Sequence, residues 1–180
     1  PHVAVGYVLE ALRGVMQAHA IGIVHRDLKP SNLFLAKRKD GSVVVKVLDF
    51  GISKAQGTSP LAASPSALTS TKAMLGSPLY MSPEQLRSSK SVDHRADIWA
   101  LGAILYELLV GNAPFDGESL FDIYAAAVRS PPPAPSSVRP ELPEKLDAVL
   151  LKCLRVDPAE RYADVAEQTE QTDQTEGQQS

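Results

Sequence analysis

The stretch His25-Arg26-Asp27-Leu28-Lys29-Pro30-Ser31-Asn32 sets an acid, a cation two positions on and an amide five positions on within one short segment. Seventeen residues after Asn32 comes Asp49-Phe50-Gly51, at the end of a β-type run. Asn32 and Asp49 offer the hard oxygen donors that Mg²⁺ takes, because that ion uses few protein ligands and completes its shell with phosphates and water. Asp27 is then free to accept a hydroxyl proton, and Lys29 to neutralise charge on a moving phosphoryl group. Each element alone says little, since Asp-Phe-Gly is a common tripeptide and an isolated loop aspartate is usually just solvated. The combination and its spacing carry the argument.

These residues need elements to hold them. Residues 3–20 place Val5, Val8, Leu9, Leu12, Val15 and Met16 at three- and four-residue spacing, which predicts a helix with one apolar stripe ending at Gly22. Short β-type segments follow at Ile23-Val24, Leu33 to Leu35 and Val43 to Leu48. The last two flank Lys37-Arg38-Lys39-Asp40-Gly41, whose Asp-Gly is a hairpin signal. Residues 53–72, rich in Ser, Thr, Ala, Pro and Gly, read as a long surface loop. Asp93 is positioned to cap a helix that runs to Gly111 and is apolar nearly all round, the mark of a buried central strut. Further helices are expected over 118–129 and near 143–154, joined by a proline-rich crossing from Pro131 to Pro140.

His-Arg-Asp-Leu-Lys-Pro-x-Asn followed by Asp-Phe-Gly at this spacing resembles the catalytic core of the eukaryotic-type protein kinases. Gly76 to Glu84 resembles that family's substrate-docking segment with its terminal Ala-Pro-Glu, here Ser-Pro-Glu, and Ser77 and Tyr80 fall within it. Asp97-Ile98-Trp99-Ala100-Leu101-Gly102 matches the family's buried-helix motif, and Arg161 matches the arginine that pairs with the glutamate, here Glu84. Tyr80 to Gln85, reading Tyr-Met-Ser-Pro-Glu-Gln, and Lys29 two past Asp27 point to the bacterial serine/threonine kinases. The resemblance covers roughly residues 3–166.

It implies a role at each matched position. Asp27 would be the catalytic base and Lys29 would contact the transferring phosphate. Asn32 and Asp49 would hold the Mg²⁺ ions that bridge the phosphates of ATP, and Phe34 would lie under the adenine. His25, Phe50, Gly51 and Asp97 would be structural support, with Asp97 bonded to the backbone of the His25-Arg26 turn. Arg26 would await an anionic partner, a phosphate on Thr69 or Thr71, with Ser70 a lesser candidate. The implied fold is mainly α with a few short strands, the C-terminal helical lobe of the α+β kinase fold. Residues 1–166 would be a partial kinase domain, with catalytic loop 25–32 and activation segment 49–84. No Gly-x-Gly-x-x-Gly occurs, so the glycine-rich loop, strand lysine and its glutamate partner are expected on sequence before Pro1, and the chain is expected to be inactive by itself. A non-catalytic lobe retained for protein–protein contacts is the alternative.

Composition sets the remaining bounds. Hydrophobic residues are 44% and charged residues 22%, enough for a sizeable core. No run approaches the ~20 apolar residues of a membrane span. The net charge of −3 includes five acids and no base in residues 164–180, which leaves 18 bases against 16 acids in residues 1–163. A nearly neutral body argues against nucleic acid as the main partner. The expected partners are Ser/Thr-bearing protein substrates and a second kinase molecule for autophosphorylation, in the cytoplasm. One cysteine, Cys153, excludes an internal disulfide and reads as a small buried residue. His2, His19 and His94 read as surface or capping residues. Residues 167–180, with three copies of a Gln-Thr-acid triplet, are expected to be a disordered tail.

Overall fold

The computed structural model describes residues 1–50, 78–87 and 92–177. The first helix, α1 (His2–Ala20), buries Val5, Val8, Leu9, Ala11, Leu12 and Val15, the stripe that its spacing predicts. It stops where Gly22 takes φ +77 and the amides of Gly22 and Ile23 return to the carbonyls of His19 and Ala18 at 2.9 Å each. Residues 23–29 then run without a strand, so the β-type reading of Ile23-Val24 is not met. This segment turns instead of pairing, because its hydrogen bonds go to side chains of the next helices.

A hairpin follows. Strand β1 (Leu33–Lys37) pairs antiparallel with β2 (Val43–Val47), Leu33 opposite Val47 and Lys37 opposite Val43. Gly41, at φ +85, makes the turn that the Asp-Gly pair predicts, and the Asp40 carboxylate accepts from Ser42 N at 2.9 Å. One face of the hairpin lies on α1, where Glu10 accepts from the backbone N–H of Val45.

The short α2 (Pro83–Arg87) precedes the central helix α3 (Arg95–Val110). Twelve of the sixteen residues of α3 are buried, including Trp99, Leu101, Ile104 and Leu105, and Gly111 ends it at φ +94. Asp93 accepts from Arg95 N at 2.8 Å, so it serves the helix start as expected, with His94 between them. The helices α4 (Leu120–Arg129), α5 (Pro135–Val138) and α6 (Glu144–Cys153) come next; α5 and α6 pack on this strut, and α4 packs on α2. Gly102 lets α6 approach closely: a Cβ there would stand 2.5 Å from Cys153 Cβ.

The last helix, α7 (Val165–Gly177), corrects the expected disorder over 167–177. It packs on α1 and α6, with Val165, Gln168 and Thr172 each about 1% exposed. Spacings of three and four put these residues on one face, and small polar groups do the packing. The Thr172 hydroxyl donates to Gln168 O at 2.8 Å, and Gln168 Nε2 donates to Cys153 Sγ at 3.3 Å. Lys152 adds an ion pair to Glu167 at 2.8 Å. Hydrogen bonds and ion pairs thus replace the apolar period whose absence suggests a tail. The described residues are mainly helical with one two-stranded sheet. Among the described residues, no helix is long and apolar enough to cross a membrane.

Candidate active site

The turn after α1 is fixed from the side of α3. Asp97, 1% exposed, accepts the backbone N–H of His25 through Oδ2 at 2.8 Å and that of Arg26 through Oδ1 at 2.9 Å. The same Oδ2 meets His19 Nε2 at 2.8 Å. Arg26 takes φ +65, a left-handed conformation that a non-glycine residue keeps only when its surroundings dictate it. His25 is completely buried, and its ring joins two segments. Nδ1 accepts from Asp27 N at 3.3 Å, which places the ring proton on Nε2, donated to Leu48 O at 2.9 Å.

This arrangement brings the polar residues together. Lys29 Nζ stands 3.3 Å from Asp27 Oδ2, and the two side chains are 24% and 12% exposed. Asn32, 5% exposed, donates its amide to Asp27 O at 2.8 Å, and its own carbonyl receives Leu48 N at 2.9 Å. Leu48 is therefore held on both sides, by Asn32 at its N–H and by His25 at its carbonyl. Asp49 follows it at φ +54 with its side chain exposed, and the Phe50 ring lies 4.7 Å from that of His25. With Nδ2 of Asn32 committed to the backbone, its amide oxygen is left with coordinating capacity. Asn32 and Asp49 thus supply oxygen donors from two segments tied through one residue, a donor set that suits a hard divalent cation. Phe34, two beyond Asn32 on β1, is 55% exposed and presents an open aromatic face.

The segment around Ser-Pro-Glu is anchored to the same turn. Ser82, fully buried, donates through N and Oγ to Gln85 Oε1 at 3.1 Å each, while Gln85 Nε2 donates to Arg26 O at 2.8 Å. Glu84 is held by Arg161, Nη1 to Oε1 at 2.7 Å and Nη2 to Oε2 at 2.8 Å. Tyr80 is 8% exposed and its hydroxyl donates to Glu107 Oε2 at 2.6 Å, so it braces the segment from beneath. Burial first, and then the Glu107 carboxylate, push its pKa well above the ordinary tyrosine value.

Gly51, Thr69, Thr71 and Ser77 lie outside the described residues. Among the described residues, the sequence reading missed His19, which is a partner of Asp97 and not a surface or capping group, together with Gln85 and Glu107. For Gln85 the signal was present, since it follows the Ser-Pro-Glu motif directly. For His19 and Glu107 it was not, because each partner lies 27 or more positions away.

A family model described as the protein kinase domain matches residues 1–173. The serine/threonine-protein kinase Pkn1 of Myxococcus xanthus is 45% identical over 164 residues, which are 91% of this chain and 23% of that protein. PknB of Mycolicibacterium smegmatis is 39% identical over 167 residues, 93% of this chain and 25% of that protein. The crystal structure of the Mycobacterium tuberculosis PknI kinase domain aligns with a TM-score of 0.65 at 28% identity, over 97% of this chain and 55% of that one. The chain spans about a quarter of the length of these curated relatives. The chain belongs to the protein kinase domain family, with bacterial serine/threonine kinases among its relatives.

Proposed function

We propose that this chain supplies the catalytic loop and metal ligands of a serine/threonine protein kinase that transfers the terminal phosphoryl group of ATP to protein hydroxyls. The observation that supports this most is the tie between two segments: Asn32 bonds to the Asp27 backbone through its side chain and to Leu48 through its carbonyl, next to Asp49. Base, phosphate contact and metal ligands thereby share one rigid frame, and phosphoryl transfer needs little beyond positioning and charge neutralisation.

Asp27 orients the attacking serine or threonine hydroxyl and receives its proton. As the hydroxyl oxygen bonds to the terminal phosphorus, the bridging P–O bond to the ADP leaving group breaks. Lys29, 3.3 Å from Asp27, offsets negative charge on the phosphoryl oxygens. Asn32 and Asp49 would hold Mg²⁺, which when bound neutralises phosphate charge, and Phe34 would support the adenine. Ser77 would contact the substrate segment. A cytoplasmic setting and autophosphorylation between two copies belong to the same reading.

The test uses the full-length protein and a Ser/Thr peptide substrate. Asp27→Asn should lower kcat by about two to four orders of magnitude and leave nucleotide binding nearly intact. Asp49→Asn should also weaken Mg²⁺-dependent nucleotide binding. Normal turnover in the Asp27→Asn protein would sink the assignment.

A further inference from the structure

The left-handed Arg26 needs both of its flanking peptide planes held. Its N–H belongs to the 25–26 plane, and Asp97 Oδ1 fixes that plane at 2.9 Å. Its carbonyl belongs to the 26–27 plane, which also carries the N–H of Asp27, itself a donor to His25 Nδ1 at a longer 3.3 Å. The side-chain bond to that carbonyl comes from Gln85 Nε2 at 2.8 Å. The orientation of the Gln85 amide is set by its partners: Ser82 N can only donate and Arg26 O can only accept. Gln85 therefore has two separable bonds, an acceptor for Ser82 within its own helix start and a donor to the catalytic turn.

From this geometry we infer that Gln85 is a positioning residue for Asp27. It ties the helix start that carries Glu84 to the peptide plane that sets where Asp27 stands. The inference rests on the kinase reading for its effect on turnover, but not for the tether itself. A change in the segment that leads into Ser82 would be felt at Asp27 through one side chain, while the Asp97 bond on the other plane stays in place.

Gln85→Glu separates the two bonds. It keeps an acceptor for Ser82 and sets a carboxylate oxygen against Arg26 O in place of the donor. Gln85→Met removes both bonds at similar volume. In the full-length protein, amide hydrogen exchange at Asp27 should speed up about tenfold in both variants. The kcat should fall about tenfold or more, with KM for ATP within about twofold of wild type. Ser82→Ala, which leaves Nε2 of Gln85 in place, should keep Asp27 exchange within about twofold of wild type. Unchanged Asp27 exchange in Gln85→Glu and Gln85→Met would overturn the inference, as would kcat within about twofold of wild type in a turning-over enzyme. If one variant does not fold, the other decides. A wild-type protein without turnover would instead sink the kinase reading, and the exchange comparison would still decide the tether.

Discussion

Arg161 grips Glu84 with both terminal nitrogens, at 2.7 and 2.8 Å, across 77 positions of sequence. Its guanidinium is fully buried, donates also to the carbonyls of Arg155, Arg95 and Val156, and lies 5.0 Å from the Trp99 ring centroid. All five N–H groups are thereby used, in a fork that a lysine cannot reproduce. Arg161→Met should cost about 3–5 kcal/mol in chemical denaturation, because partly buried Glu84 and three carbonyls lose their donors. Arg161→Lys keeps the charge but at most three of the five donors, and should cost less than Arg161→Met but more than about 1 kcal/mol. Adding Glu84→Gln to Arg161→Met should cost much less than the sum of the single changes. A loss below about 1 kcal/mol for Arg161→Lys would refute the role.

Asp97 offers a second test. Its two oxygens serve three donors, His25 N, Arg26 N and His19 Nε2. Asp97→Asn leaves one oxygen and turns an NH₂ toward a donor, so at least one charge-assisted bond is lost, worth about 1.5–3 kcal/mol. The denaturation midpoint should drop accordingly, and Arg26 should leave the left-handed region. A variant of unchanged stability whose crystal structure keeps Arg26 near φ +65 would disprove it.

The turn after α1 was legible because its polar residues are close in sequence: Asp27, Lys29 and Asn32 fall within six residues, and Asp49 closes the β-type run that follows. The strut was legible because a helix apolar all round has nowhere to go but the core. What escaped was set by tertiary contact. Thr172 and Gln168 read as solvent-facing polar residues, yet both are buried where α7 packs, Thr172 donating to the i−4 carbonyl and Gln168 Nε2 to Cys153. Tyr80 read as part of a docking face because its segment does so in the resembling family. Only the fold shows Glu107 waiting beneath it.

Activation can be tested in the residues between Asp49 and Ser77. Arg26 Nη2 donates to Val92 O at 3.3 Å, while its buried Nε has no hydrogen-bond partner among the described residues. A phosphate carries about −1.5 to −2 charges and strong acceptors suited to such a guanidinium. Mass spectrometry of the full-length protein incubated with ATP and Mg²⁺ should therefore find phosphate at Thr69 or Thr71, with Ser70 next, and none in the Asp27→Asn protein. Thr69→Ala/Thr71→Ala should lower activity. Phosphate confined to Ser64 or Ser66, or unaltered activity in the double variant, would count against it.

Cys153 makes stability depend on alkaline pH. The thiol is wholly buried where α6 meets Gly102, and burial pushes its pKa up to about 12 from the ordinary 9.0, against a smaller opposing pull from Arg161 and Lys152. A group whose folded pKa is raised contributes its full stability below the unfolded pKa and loses it as pH rises toward the folded one. The unfolded thiol gives up its proton above 9.0 while the folded one keeps it to about 12, so stability falls with pH in that window. The limiting slope is about 1.4 kcal/mol per pH unit. Buried Tyr80 and Tyr162, also shifted upward, add the same sign only above 10.0. Between about pH 8.5 and 10 the wild type should thus lose roughly 1 kcal/mol more than Cys153→Ala, which keeps the Cβ against Gly102 and removes the titrating group. In the same range, a thiol reagent should label Cys153 no faster than the protein unfolds. Parallel stability curves for the two proteins, or a burst of labelling under native conditions, would show that the thiol is not sealed between α3 and α6.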